Sequence, residues 1–119
     1  MSANLYHRQI NPHHVRQGYP SVAAFKLRSV DNGELSVYDG AAISPKDAFL
    51  HFKQQKFKTI GVMSVSDEEI TNVACSIKPT PSRNNPFHIS ICFPHDIEQE
   101  LISRRLHEYA MQRSWTYKP

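Results

Sequence analysis

The stretch Phe87-His88-Ile89-Ser90-Ile91-Cys92 holds a histidine and a serine two residues apart in a run that reads as a strand. Alternate residues of a strand share a face, so Ile89 and Ile91 point to a core while His88 and Ser90 point away from it. A His-x-Ser pair placed this way can donate two hydrogen bonds to one phosphate. The chain has seven histidines, and the other six, at 7, 13, 14, 51, 95 and 107, are not followed two residues on by Ser or Thr. Nor do they show a metal-binding spacing, which needs side chains that converge, such as His at i and i+4 on a helix, or paired cysteines. His13 and His14 are adjacent and diverge, and His51 and His107 stand alone on their helices, so no metal site is expected. Nucleophilic catalysis needs a Ser or Cys beside a base. No Gly-x-Ser-x-Gly occurs, and four glycines are too few for a phosphate-cradling loop. Cys75 and Cys92 sit in apolar runs, where burial raises a thiol's pKa and makes it inert. They read as two small buried hydrophobes, with a bridge between neighbouring strands as the alternative.

The elements that must position these residues follow from pattern. Leu5–Ile10, Ala23–Arg28 and Leu35–Tyr38 read as strands, the last two joined at Asn32-Gly33, a pair that tolerates positive φ and favours a hairpin. His13–Pro20 reads as a loop or single helical turn. Ser44-Pro45-Lys46-Asp47 opens a helix, with Ser44 as cap, Pro45 at the first helical position and Asp47 at the positive end of the dipole. Thr59–Val65 is a strand, Ser66-Asp67-Glu68-Glu69 matches a capping box for a helical turn, and Val73–Ile77 is a strand that pairs with the last one, His88–Phe93. In the final helix, capped at Asp96, acids precede Arg104, Arg105 and Arg113, and Ile97, Leu101, Ile102, Leu106, Tyr109 and Ala110 form one apolar stripe. The expected fold is a single α+β domain over residues 1–119, with a mainly antiparallel sheet of five to six strands packed against two helices at about 44–55 and 96–113.

Two resemblances bear on function. The His88-x-Ser90 pair resembles half of the site of the 2H phosphoesterases, which use two such motifs from two strands, and the second motif is missing here. The order of elements from Leu5-Tyr6-His7, through the turn at Gly18 and the strand Leu35-Ser36-Val37-Tyr38 to Thr59–Val65, resembles that of the ADP-ribosyltransferases. In that family a strand-borne His and a later Tyr hold NAD, and a Glu on a late strand orients the ribose. The resemblance would give His7 and Tyr38 those first two roles and imply NAD as cofactor. No late strand here carries the Glu in the expected place.

Length and composition bound the rest. A chain of 119 residues buries enough surface to fold without a disulfide or metal. It has no run of the roughly 20 apolar residues that a membrane span needs. Met1-Ser2-Ala3-Asn4-Leu5 lacks the basic start and apolar core of a secretion signal. A cytoplasmic protein without a membrane partner is therefore expected. The net charge of +3 is uneven: residues 1–60 hold eight Lys or Arg against four acids, and residues 61–119 hold six against seven. This bias permits an anionic partner. The densest basic run, Lys53, Lys56 and Lys58 with Phe57 between, could meet a nucleic-acid backbone. Tyr, Trp and Arg are enriched at interface hot spots. Arg105, Trp115 and Tyr117 at the end of the last helix, and His13, His14 and Tyr19 in the early loop, are therefore candidate partner-binding residues. No catalytic constellation is complete in the sequence, and no cofactor is required by it. The leading expectation is a small protein-binding module or accessory subunit, or a homo-oligomer. An NAD-binding enzyme using His7 and Tyr38, with His88 and Ser90 as further catalytic candidates, and a nucleic-acid-binding domain are the alternatives.

Overall fold

The computed structural model describes residues 4–28 and 31–119. Residues 1–3, part of the stretch read for a secretion signal, lie outside these. The core element is a five-stranded antiparallel sheet built from β1 (Leu5–Gln9), β4 (Glu34–Asp39), β5 (Val62–Ser66), β6 (Ser76–Pro79) and β7 (His88–Cys92). The strand order is β5-β1-β4-β7-β6. A separate two-residue ribbon pairs β2 (Val15–Arg16) with β3 (Tyr19–Pro20). Its turn uses Gln17 and Gly18, with φ of 55° and 85°. Among the described residues three α-helices complete the fold: α1 (Pro45–Gln54), α2 (Asp67–Asn72) and α3 (Gln99–Arg113).

One face of the sheet is apolar, as alternation requires. Leu35, Val37, Met63, Val65, Ile89 and Ile91 are buried there, against Ile102, Leu106 and Ala110 of α3 and Ile70 of α2. The i, i+4, i+8 spacing of those α3 residues gives one buried stripe. Leu101, expected on that stripe, is 55% exposed, and α3 starts three residues after Asp96, with Glu98 as its N-cap. The caps of the other helices form as expected. Ser44 accepts from Asp47 N at 3.1 Å in α1, and Ser66 and Glu69 close a reciprocal capping box on α2.

Two strands differ from expectation. Residues 22–25 form a 3-10 turn in place of a strand. Consecutive Ala24 and Phe25 are both buried, and a flat strand would send neighbours to opposite faces. Asn32 and Gly33 do take positive φ, 52° and 77°, but the strand after them pairs with β1 and β7. The second difference is at Val73 and Cys75, which are buried in a turn that passes through Ala74 at φ 63°. The strand starts only at Ser76 and pairs with β7 as expected.

The five residues of β5 are all buried although the strand ends the sheet. The C-terminal segment lies along its free edge: Val62 N donates to Tyr117 O at 2.8 Å, and Thr116 N donates to Val62 O at 2.9 Å. Covering an edge this way removes its unpaired backbone groups. Gly61 makes the approach possible, because a Cβ there would stand 2.7 Å from the Trp115 ring and 2.9 Å from the Tyr117 carbonyl. Among the described residues no helix is long and apolar enough to cross a membrane.

Candidate ligand cleft

Register aligns the polar residues of the second sheet face into one row. His7 pairs with Ser64 on one side and with Tyr38 on the other, and Tyr38 pairs with His88. Thr80, just past β6, extends the row by donating its backbone N–H to His88 O at 3.0 Å. His7 and Tyr38 therefore lie side by side on the same face. β7 is an interior strand with a neighbour on each side, and Ser90 is buried. The face that carries His88 and Ser90 is thus not a solvated sheet edge.

The members of this row bond to one another. His7 Nδ1 lies 2.7 Å from Ser64 Oγ, which lies 2.8 Å from Thr116 Oγ1. His7 Nε2 is buried without a hydrogen-bond partner among the described residues, and burial holds the His7 pKa below its ordinary value. The Tyr38 hydroxyl lies 2.7 Å from His51 Nδ1 of α1, and burial pushes its pKa up to about 12. His88 Nδ1 meets Thr80 Oγ1 at 2.7 Å, and Thr80 Oγ1 meets Ser90 Oγ at 2.9 Å. Burial also lowers the His88 pKa, opposed by a hydrogen bond to the Thr80 backbone and by the charge of Glu34.

Beside the row the sheet splits. β1 makes five residue pairs with β5, and β4 makes five with β7, but β1 and β4 share only Tyr6↔Asp39 and His7↔Tyr38. A cavity of about 590 Å³ occupies the gap, within the range of small-molecule sites. Arg8 spans the opening: its Nε donates to Ala24 O and its Nη1 to Ser36 O, both at 2.9 Å. Ser36 O is a carbonyl that a continued ladder would have engaged. The Arg8 guanidinium has no carboxylate within ion-pair distance among the described residues. Burial lowers its pKa to about 10, with Asp31 opposing and Arg28 adding to the shift.

The cavity wall is cationic and aromatic. Arg8, Arg28 and Lys58 line it against one carboxylate, Asp31, and Asp31 is already held by Arg28 through the backbone N at 2.6 Å and Nη2 at 3.1 Å. His14 also lines it, with a pKa lowered by burial and then by the neighbouring charges of Arg8, His13 and Arg16. Phe52 and Phe57 form a shelf, their centroids 5.0 Å apart. Phe57 is 54% exposed. His7, Tyr38 and His88 all lie on the wall, whereas Ser90 stands behind it, tied to Thr80.

The remaining candidates lie elsewhere. Arg105 is exposed in the middle of α3, with its guanidinium 5.8 Å from the Tyr109 ring. Trp115 and Tyr117 are half-buried along β5, Tyr117 packing on Phe49 at 5.2 Å. His13 and Tyr19 are exposed. Lys53, Lys56 and Lys58 are all exposed, Lys53 lying over the Phe49 ring at 5.6 Å, and of the three Lys58 lines the cavity. Among the described residues no three His, Cys, Asp or Glu side chains gather as a metal site would need.

Sequence reasoning missed Arg8, Ser64, Thr80 and His51, which complete or support the site. Arg8 had a weak signal, a charge between Tyr6 and Ile10, the residues two positions away that share its face in a strand expected to be half buried. Ser64 and Thr80 become visible only through register, and His51 only through the packing of α1 against Tyr38.

The fold and the cleft define an α+β domain with a cation-lined, aromatic-shelved cavity at a split between two central strands. Comparison with protein-family models, curated proteins and solved structures gives no match.

Proposed function

We propose that this protein binds a phosphate-bearing ligand of the nucleotide class in the cleft between β1 and β4. The observation that carries the reading is Arg8. Arg8 is half-buried, and even partial withdrawal of a guanidinium from water without a carboxylate partner has a cost. Its two carbonyl bonds leave Nη2 with no partner among the described residues, on the wall of an open cavity. An anion supplies the missing charge, and planar guanidinium geometry suits phosphate. Arg28 and Lys58 add to the positive field, while the exposed Phe57 ring offers a stacking surface for a base. NAD, which carries two phosphates and two ring systems, belongs to this class. A cytoplasmic setting, where such nucleotides are plentiful, fits the reading.

The test is thermal unfolding with ADP, NAD, adenosine and inorganic pyrophosphate. A ligand present at 100 times its Kd stabilises by about 2.7 kcal/mol. ADP and NAD should raise Tm, adenosine should not, and added salt should weaken the shift. Arg8→Met should abolish it. Equal shifts with adenosine and ADP, or none with any phosphate compound, would remove the reading. A single-stranded oligonucleotide presents the same phosphates and rings. One that displaced ADP from the cleft would move the function to nucleic-acid binding.

A protein-binding module is the second reading, favoured by a different surface. Tyr19 is 51% and Leu101 55% exposed, and neither lines the cavity. Sedimentation of the wild type against Leu101→Glu and Tyr19→Ser tests for self-association through these residues. A monomer that is unchanged by both substitutions would count against a homo-oligomer.

A further inference from the structure

Register divides the cavity wall between the two sides of the sheet. Arg8 stands opposite Met63, a core residue, so its side chain lies on the side of α3. His7, Tyr38 and His88 belong to the other side. A phosphate held by Arg8 therefore meets the groups of the α3 side. Two short 3-10 turns bring a titratable group there. Pro12–His14 comes soon after β1 and packs against Val22–Phe25. His14 O accepts from Ser21 N at 2.7 Å, close in the chain to Ala24, whose carbonyl holds Arg8 Nε. His14 thus lines the cavity on the same side as Arg8. It is half-buried and its ring has no hydrogen-bond partner among the described residues, yet neither ring nitrogen is closed off from the surface.

The surroundings of His14 are positive. Burial first, and then the charges of Arg8 from β1, His13 from its own turn and Arg16 from β2, hold its pKa below the ordinary 6.5. The turn Val22–Phe25 carries no charge. Arg28 and Asp31 both act on Arg8, but they are paired with each other, so their charges largely cancel. Lys58 lines the same cavity and adds a positive charge. The unliganded His14 ring is therefore neutral near pH 7. An anion on Arg8 reverses the sign of the field that His14 meets, and an opposite charge within about 4–6 Å moves a pKa toward the charged form by about 1–3 units.

We infer that His14 is a further phosphate-binding residue of the cleft and binds as imidazolium, taking a proton from solvent as the ligand's phosphate settles on Arg8 and donating a hydrogen bond to it. The inference rests on the proposed ligand class. One proton moves from solvent to a ring nitrogen of His14, and no covalent bond of the ligand changes. The complex holds one proton more than the free protein, so affinity rises as pH falls toward the pKa of the free ring and levels off below it. The same charge favours anions over neutral nucleosides, because only an anion repays the protonation of a ring already surrounded by cations.

NAD is the probe, because none of its own groups titrates near neutral pH. Its affinity for the wild type, measured by calorimetry at constant ionic strength, should rise about 10-fold or more from about pH 8 to about pH 6. At neutral pH the heat of binding should differ between Tris and HEPES, because the buffer gives up the proton that His14 gains. His14→Gln cannot take that proton and should show a flat pH profile with the same heat in both buffers. His14→Lys keeps its charge across this range and should also be flat. His88→Gln, on the other side of the sheet, should keep the wild-type slope, and the unliganded Tm of each variant reports on its fold. A flat profile in the wild type would overturn the inference and leave the proposed function standing. So would a slope that survives in His14→Gln or His14→Lys, or one that disappears in His88→Gln. Failure of the wild type to bind either NAD or ADP at any of these pH values would remove both.

Discussion

The two seams of β4 behave differently. On one side β4 pairs with β7 over five residues, and on the other it pairs with β1 over two before the strands part. The closed seam has Ile91 opposite Leu35 and Ile89 opposite Val37, all buried. The open seam has the Arg8 guanidinium in place of the ladder, bonded to the Ser36 carbonyl of β4 and to the Ala24 carbonyl of the 3-10 turn. Apolar pairs gain by excluding water, so they close a seam. A charged group needs polar partners, so it holds a seam apart and leaves room beside it. The contrast separates the residues that stabilise this domain from those equipped to meet a ligand.

Substitutions that remove one seam's chemistry at a time test the division. Ile91→Ala, at a fully buried position of the closed seam, should cost about 3 kcal/mol in denaturant unfolding and leave the ADP-induced Tm shift in place. A lost shift with the fold retained would show that the seams are not separate.

Arg113→Met acts at the far edge of the sheet, where Arg113 bonds both carboxylate oxygens of Glu69 and the Ser64 carbonyl. The expected cost is about 2 kcal/mol near neutral pH. Burial raises the Glu69 pKa, but the bonds from Arg113 and Ser66 outweigh it, so the folded-state value lies below the ordinary 4.5. A depressed folded-state value means that this stabilisation is full above the ordinary value and is lost as pH falls through the folded one. The difference between wild type and Arg113→Met should therefore shrink in acid. A gap that stayed constant down to about pH 3 would show that the ion pair contributes little.

Arg8→Met at the open seam should cost less in stability, about 1 kcal/mol for two bonds to carbonyls offset by relief of desolvation. It should also cost all measurable ADP binding. Phe57→Ala should have the smallest effect on folding, within about 0.5 kcal/mol for an exposed position. It should weaken ADP more than pyrophosphate, and equal weakening of the two would remove the shelf from the site.

Local chemistry made several elements legible in the sequence. The Ser44-Pro45-Asp47 start, the Ser66–Glu69 capping box and the basic end of α3 each involve groups within one or two helical turns. The alternation in His88–Cys92 correctly divided that strand's two faces. The Ala23–Arg28 strand failed because the same alternation also suits a turn that fills space beneath α3, and only the neighbour decides.

The sequence by itself determined an α+β domain, the caps of α1 and α2, and the orientation of His88 and Ser90 away from the core, because these depend on residues a few positions apart. Only the tertiary structure decided that His7, Ser64, Tyr38, Thr80 and His88 form one row, and that Arg8 stands at a gap with no carboxylate within ion-pair distance among the described residues. Those relations come from strand register and from where a ladder stops. Both are set by packing between residues as far apart as His7 and Ser64, 57 positions along the chain, a separation at which no spacing rule applies.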